Sequence, residues 1–401
     1  MSHPLAVVLR RPYVPWLVSS SLIGRLPTGM TALALVLLVR GRGADYGLAG
    51  ALAAAYGLGS AGGGPLLGRV VDRTRQPPVL AGAALVATAA FVAVGLVGPQ
   101  RPVLAGIAAA VAGVATPPLE PCMRALWPGL LDGTAPVQTA YAFDAAAQEL
   151  IFTVGPLVVL GGVALAGPEG GLWAAALVGL AGAVAFAAAP PTRQWRAAAT
   201  EARHWAGPLR SHGLRWLLGA LACVGATIGV GMVAFPATAE ALGSPSLGGW
   251  LLAANALGAF AGGLGYGSMP TARAPRRRLL PLTALFALGY LPLVAAVPLP
   301  VAIALAVLSG VMLPPVLACA FLAVDELAPA GTVTEAFAWV VTAFSIGSAL
   351  GSALAGRVIN AYGAGPAFAA GVALAVLATL VVAVRRGPAN PVDPHAEARH
   401  D

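Results

Sequence analysis

The chain has no lysine. Its 23 basic residues are all arginine, and only 9% of its 401 residues are charged. So little charge, set against 58% hydrophobic residues and a mean hydropathy of +0.83, excludes an ordinary soluble globular domain. Without lysine there is no Walker-type loop, G-x-x-x-x-G-K-[ST], so ATP-driven pumping would need a separate subunit. Cys122, Cys223 and Cys319 each fall inside an apolar run, which gives no support to a disulfide framework or a metal site. The five histidines, His3, His204, His212, His395 and His400, lie in the tails or the central polar interval. Any proton carried across a membrane must therefore ride on a carboxylate. An enzyme acting on lipids would want converging His, Asp or Ser groups near one interface, and the apolar runs hold no His.

What the chain has in quantity is apolar sequence. A bilayer core of roughly 30 Å needs about 20 helical residues, and the chain has room for about twelve spans. The runs are continuous rather than alternating, which disfavours a β-barrel. The expected fold is an all-α membrane protein with spans near 13–39, 45–71, 77–98, 101–126, 137–166, 171–190, 213–240, 246–269, 278–297, 299–324, 332–359 and 364–385. The segment after Arg10 and Arg11 runs on as a full span with no cleavage site, so the first helix is expected to serve as its own targeting signal.

Arginine sets the orientation. With the N-terminus inside, Arg10, Arg11, Arg69, Arg73, Arg75, Arg124, the interval from Arg193 to Arg215, Arg273, Arg276 to Arg278, Arg385, Arg386 and Arg399 are cytoplasmic. Only Arg40, Arg42, Arg101 and Arg357 face out. Both termini are expected inside, in a bacterial cytoplasmic membrane, since arginine without lysine and heavy use of Ala, Gly and Pro suggest a GC-rich bacterial genome. The net charge of +8 is a topology signal and does not point to nucleic acid.

The polar interval "PPTRQWRAAATEARHWAGPLRSHGLR", 190–215, divides the spans six and six. The division predicts an N-terminal bundle at 1–190, a cytoplasmic linker at 191–212, a C-terminal bundle at 213–386 and a tail at 387–401. The halves repeat. "LAAAYGLGSAGGG" from Leu52 answers "LAANALGAFAGGL" from Leu252, "GVATPPLEPC" from Gly113 answers "GVMLPPVLAC" from Gly310, and "AYAF" from Ala140 answers "AFAW" from Ala336. An even number of spans separates equivalent helices, so the two repeats are parallel.

Between the second and third spans lies "GRVVDRTRQPPVL", 68–80. Twelve spans in two parallel six-helix repeats resemble the major facilitator superfamily, whose members carry G-x-x-x-D-R-x-G-R-R at this place. Gly68, Asp72 and Arg73 match; Arg75, Gln76, Pro77 and Pro78 depart from the pattern. The resemblance implies that Asp72 caps a helix of the other half at the cytoplasmic end and that the arginines pair across the loop, locking an outward-facing state. A carboxylate beside a helix N-terminus is stabilised by the helix dipole in any case, and the eleventh span presents an N-terminus to the cytoplasm. A positive-inside anchor is the plainer alternative, but an anchor requires neither Gly68 nor Asp72.

Few charges lie within spans. Arg25 and Glu149 are about 18 Å and 20 Å from the cytoplasmic ends of the first and fifth spans at 1.5 Å per residue. The sharpest expectation is an Arg25–Glu149 ion pair that couples protons or binds substrate; a static buried pair is the alternative. Asp144 shares the fifth span with Glu149 and faces either Arg124 or the cavity. Glu120 and Arg124, spaced i, i+4, read as a salt bridge, structural or part of the gate network. Pro117 with Pro118 and Pro314 with Pro315 interrupt corresponding helices and are candidate hinges or tolerated kinks.

These features point to a secondary transporter without cofactor or catalytic metal, a monomer in the lipid bilayer. Its partners are protons and a small-molecule substrate. Few hydrogen-bonding side chains occur in the spans, mainly Gln148 and Asn255, which favours efflux of a lipophilic or amphipathic compound. Uptake of a small carboxylated solute, with Arg25 as its anion partner, and a non-transporting sensor remain the alternatives.

Overall fold

The computed structural model describes residues 4–198, 206–243, 247–269, 275–295 and 297–384. The predicted tail at 387–401 and linker residues 199–205 lie outside the described residues. In the first half, α1 (Pro4–Leu9) leads into α2 (Val14–Gly41), α3 (Tyr46–Arg73), α4 (Gln76–Val97), α5 (Pro102–Val114), α6 (Leu119–Leu130), α7 (Thr134–Ala166) and α8 (Gly170–Ala188). After the short α9 (Pro190–Gln194) the second half forms α10 (His212–Ala241), α11 (Gly248–Gly267), α12 (Pro275–Tyr290), α13 (Leu299–Gly310), α14 (Leu313–Leu327), α15 (Val333–Tyr362) and α16 (Ala364–Val384).

Local chemistry sets the helix ends. Asp45 accepts a hydrogen bond from Leu48 N to cap α3, and Ser211 accepts from Leu214 N to cap α10. Prolines occupy the first turns of α2, α4, α5, α13 and α14, where a missing N–H costs nothing.

Each predicted span has a helical counterpart, and the fourth and tenth are broken in two. Residues 115–118 leave the helix between α5 and α6, where Pro117 and Pro118 cannot donate to the ladder. In the tenth span the break falls at Val311 and Met312, ahead of Pro314 and Pro315, which start α14. The fold is therefore all-α, in two equivalent sets of six spans. Ten helical stretches among the described residues are long and apolar enough to cross a membrane. The remaining two, α3 and α11, are equivalent Gly-rich helices of 28 and 20 residues, less hydropathic because glycine adds length without apolar surface.

The repeated motifs have a packing role. A Cβ on Gly113 would lie 2.1 Å from the Tyr56 carbonyl oxygen, and one on Gly310 would lie 2.0 Å from the Asn255 carbonyl oxygen. In each half one repeated motif supplies the glycine and the other supplies the backbone it touches, so α5 packs on α3 as α13 packs on α11. The halves meet along two seams, α3 with α15 and α7 with α11, with α14 also packed on α7 and α6 on α15. Large apolar side chains such as Leu58, Leu96, Leu165 and Leu257 point outward; Leu165 is 90% exposed, which suits lipid and not water.

Candidate functional site

Both seams are fastened at the end of the bundle that carries the arginine-rich loops. There α3 ends against the start of α15. The Asp72 carboxylate accepts hydrogen bonds from Thr334 N at 3.1 Å and Glu335 N at 2.8 Å, satisfying two of the four N–H groups that a helix start leaves unpaired. Arg69 donates from Nε and a terminal nitrogen to the two oxygens of Glu335, at 2.9 and 2.6 Å. This is the bidentate geometry for which guanidinium is suited. Gly68 lets the helices approach, because a Cβ there would lie 3.0 Å from the Glu335 Cα. Arg73 is exposed and makes no ion pair or hydrogen bond among the described residues. It lies about 100° around the helix from Asp72. The signature arginine is therefore not the one that crosses the seam. Arg69 is, three residues before Asp72 on the same face, where the sequence marks it only as a cytoplasmic topology arginine.

The second seam is closed by smaller groups. Thr139 Oγ1 donates to the Gly267 carbonyl at 2.6 Å, and a Cβ on Gly263 would lie 2.6 Å from that of Ala146. Tyr141 donates from its hydroxyl to Asp325 at 2.6 Å, tying α7 to the end of α14. Sequence reasoning missed Tyr141, Asp325 and Glu335. The available signal was their position: Asp325 and Glu335 flank the loop that faces "GRVVDR" across the pseudo-symmetry.

Within the first half, four charges form a closed square. Arg25 donates to Asp144 at 2.8 Å, lies 3.2 Å from Glu120 and donates to Gln148. Arg124 donates from Nε to the other oxygen of Asp144 at 2.9 Å and pairs with Glu120. Arg25, Arg124 and Asp144 are buried. Two positive and two negative groups balance, which makes burial tolerable. Arg124 also lies over the Phe321 ring, 3.6 Å from its centroid, so the square touches the second half.

The expected Arg25–Glu149 pair does not form. The depths matched, but the rotation did not: Asp144 and Gln148, spaced i, i+4, share the α7 face that looks at α2, and Glu149 is turned about 100° away. It continues instead the stripe of Thr139, Ala142 and Ala146 toward α11 and the second half. Glu149 is half-buried, and among the described residues no side chain hydrogen-bonds to its carboxylate. In the second half Tyr290 is buried, and Asn255 donates to Ser309 Oγ at 2.9 Å. Two sites thus separate: an ion-paired charge square inside one half, in which only the Arg25 Nε is left without a hydrogen bond among the described residues, and a carboxylate with no such partner on the seam beyond the last close contact.

The sequence model of the Major Facilitator Superfamily matches residues 17–235 and again residues 216–400, once over each half. No curated protein sequence matches the chain. Among solved structures, a bacterial homologue of the iron transporter ferroportin in an outward-facing state is similar, at 12% identity and a TM-score of 0.73, over 92% of this chain and 98% of that one. The human organic anion transporter MFSD10 is similar at 17% identity and a TM-score of 0.71, over 93% and 100%. The E. coli fucose:proton symporter is similar at 12% identity and a TM-score of 0.71, over 94% and 99%. With the two-fold match of its sequence and the closed Asp72–α15 seam, the chain belongs to the major facilitator superfamily.

Proposed function

We propose that the chain is a secondary transporter in which the bundles 1–190 and 213–386, joined by the linker 191–212, rock about the two seams to give alternating access. Its place is a bacterial cytoplasmic membrane, as a monomer with both termini and the arginine-rich end in the cytoplasm. In this reading the fastened seams, closed by Gly68, Arg69, Asp72 and Glu335 as the cytoplasmic gate, support an outward-facing state. The breaks before Leu119 and Leu313 serve as hinges. The cargo is a small lipophilic or amphipathic compound, exported in exchange for protons.

One observation carries the coupling role: the Glu149 carboxylate stands on the seam between halves without a hydrogen-bonded or ion-paired partner among the described residues. A carboxylate there exchanges its proton for a ligand as access alternates. Arg25 is already engaged by Asp144, Glu120 and Gln148, so it is not offered to a carboxylated solute, which weighs against the uptake reading. The test is flux of lipophilic test compounds in proteoliposomes under an imposed pH gradient. Gradient-driven flux that Glu149→Gln abolishes, with downhill exchange retained, is the expected result; equal flux with and without the gradient overturns proton coupling, and binding without flux identifies a sensor.

A further inference from the structure

Beside the closed gate, and sharing Arg69 and Glu335 with it, lies a crevice of about 810 Å³. It is built by four elements: the last turns of α3, the first turns of α15, the turn Gly207–Arg210 and the first turn of α10 that follows it. Its lining includes three guanidinium groups, Arg69, Arg210 and Arg215, and the carboxylate of Glu335. Arg69 is spent on Glu335. Arg210 is exposed with no partner among the described residues, and Arg215 approaches only the His212 ring, at 3.1 Å. Among the described residues the crevice therefore has an unanswered charge of about two. Its lining also has apolar groups: Leu66, 59% exposed on α3, and Trp339, which donates to Glu335 at 3.4 Å.

Cationic heads beside apolar groups that include a tryptophan are the profile of a membrane interface. We propose that this crevice binds an anionic phospholipid of the cytoplasmic leaflet, its phosphate between Arg210 and Arg215 and an acyl chain along Leu66 and Trp339. Charge complementarity selects the occupant, since a zwitterionic headgroup leaves the surplus uncancelled. The site has a consequence for gating. The Gly207 turn is seated on the Glu335 carboxylate, where a Cβ would lie 2.7 Å from an oxygen, and Arg69 of α3 holds the same carboxylate, so the linker, α3 and α15 meet at one residue of the closed gate. A lipid bridging them stabilises that closed end. The leaflet rests on the orientation proposed above, whereas binding is read without transport, so the two readings fail separately.

The experiment delipidates the full-length protein in detergent, adds phosphatidylglycerol or phosphatidylcholine, and counts retained lipid by native mass spectrometry. R210Q/R215Q is compared with R193Q/R196Q, which removes the same charge from exposed positions of the same end outside the crevice. The expected result is selective retention of phosphatidylglycerol by the wild type and by R193Q/R196Q, weakened about fivefold for each arginine lost in R210Q/R215Q. Equal retention of the two lipids, equal loss in both variants, or displacement of the lipid by glycerol phosphate at equal concentration overturns the proposal. Thermal melting of the lipid-free variants guards against misfolding, and R210Q and R215Q singly supply the readout should the pair fail to fold.

Discussion

Asp72 Oδ2 accepts a hydrogen bond from the backbone N–H of Glu335 at 2.8 Å, across 263 positions of sequence. Three residues earlier, Arg69 holds the side chain of the same glutamate, so one residue of α15 is gripped at both its backbone and its carboxylate. The gate is thereby a helix cap supplied in trans. Asp72→Ala removes an acceptor from a helix start, a loss of about 1 kcal/mol, or roughly fivefold in the closed-to-open ratio. Spin labels at Arg73→Cys and Ala330→Cys, both exposed, are expected to show a longer-distance population growing by that factor.

Gly68→Leu acts on the same seam by volume. Its Cβ meets backbone of Glu335 and Thr334, which cannot swing aside as a flexible side chain would. The same label pair is expected to report a gate that no longer closes, with a shift larger than that of Asp72→Ala. A distance distribution unchanged from wild type contradicts the close approach at Gly68.

The charge square and Glu149 differ in what their removal costs. Arg124→Met leaves Asp144 and Glu120 short of a cation in a buried site, a loss of about 3–5 kcal/mol, seen as a large fall in melting temperature. Glu149→Gln removes a carboxylate with no hydrogen-bonded partner among the described residues, and its melting temperature is expected to stay at the wild-type value. Comparable falls for the two variants would place Glu149 in the structural network.

That contrast also measures what the sequence makes legible. Lipid forces every backbone group into helix hydrogen bonds, so spans, their two-fold repetition and the Pro117–Pro118 break can be read from apolar runs and proline. Depth along a helix is legible as well, because rise per residue is fixed; Arg25 does reach Gln148, the neighbour of Glu149. Rotation is not. Gln148 and Glu149 are adjacent, and only packing against α2 and α11 decides which faces Arg25. Partners across the halves, such as Arg69 with Glu335 or Tyr141 with Asp325, depend on which helices the fold brings together. The family signature directs attention to Arg73, whereas helix phase alone puts Arg69 on the face of Asp72.

At the opposite end, Arg42 ties the first half together. It pairs with Glu169 in the turn between α7 and α8 and donates to the Gly95 carbonyl at 2.7 Å. A hydrogen bond from its own backbone N–H and then the Arg42 guanidinium hold the Glu169 carboxyl below its ordinary value of 4.5. A depressed folded value means that the pair stabilises above the unfolded pKa and loses that contribution as pH falls through the folded one. Wild type is thus expected to melt higher than Glu169→Gln at neutral pH, with the gap closing below pH 4.5. A gap that is constant with pH removes the ion pair from the account.

Ligand-driven proton release tests the central claim, that Glu149 and not the charge square carries the coupled proton. Purified wild type and Glu149→Gln are placed in weakly buffered detergent, and a panel of lipophilic and anionic compounds is added while pH is recorded. Release from wild type alone, by a compound that binds both proteins, is the predicted result. Equal release from both proteins, or binding with release from neither, would contradict it.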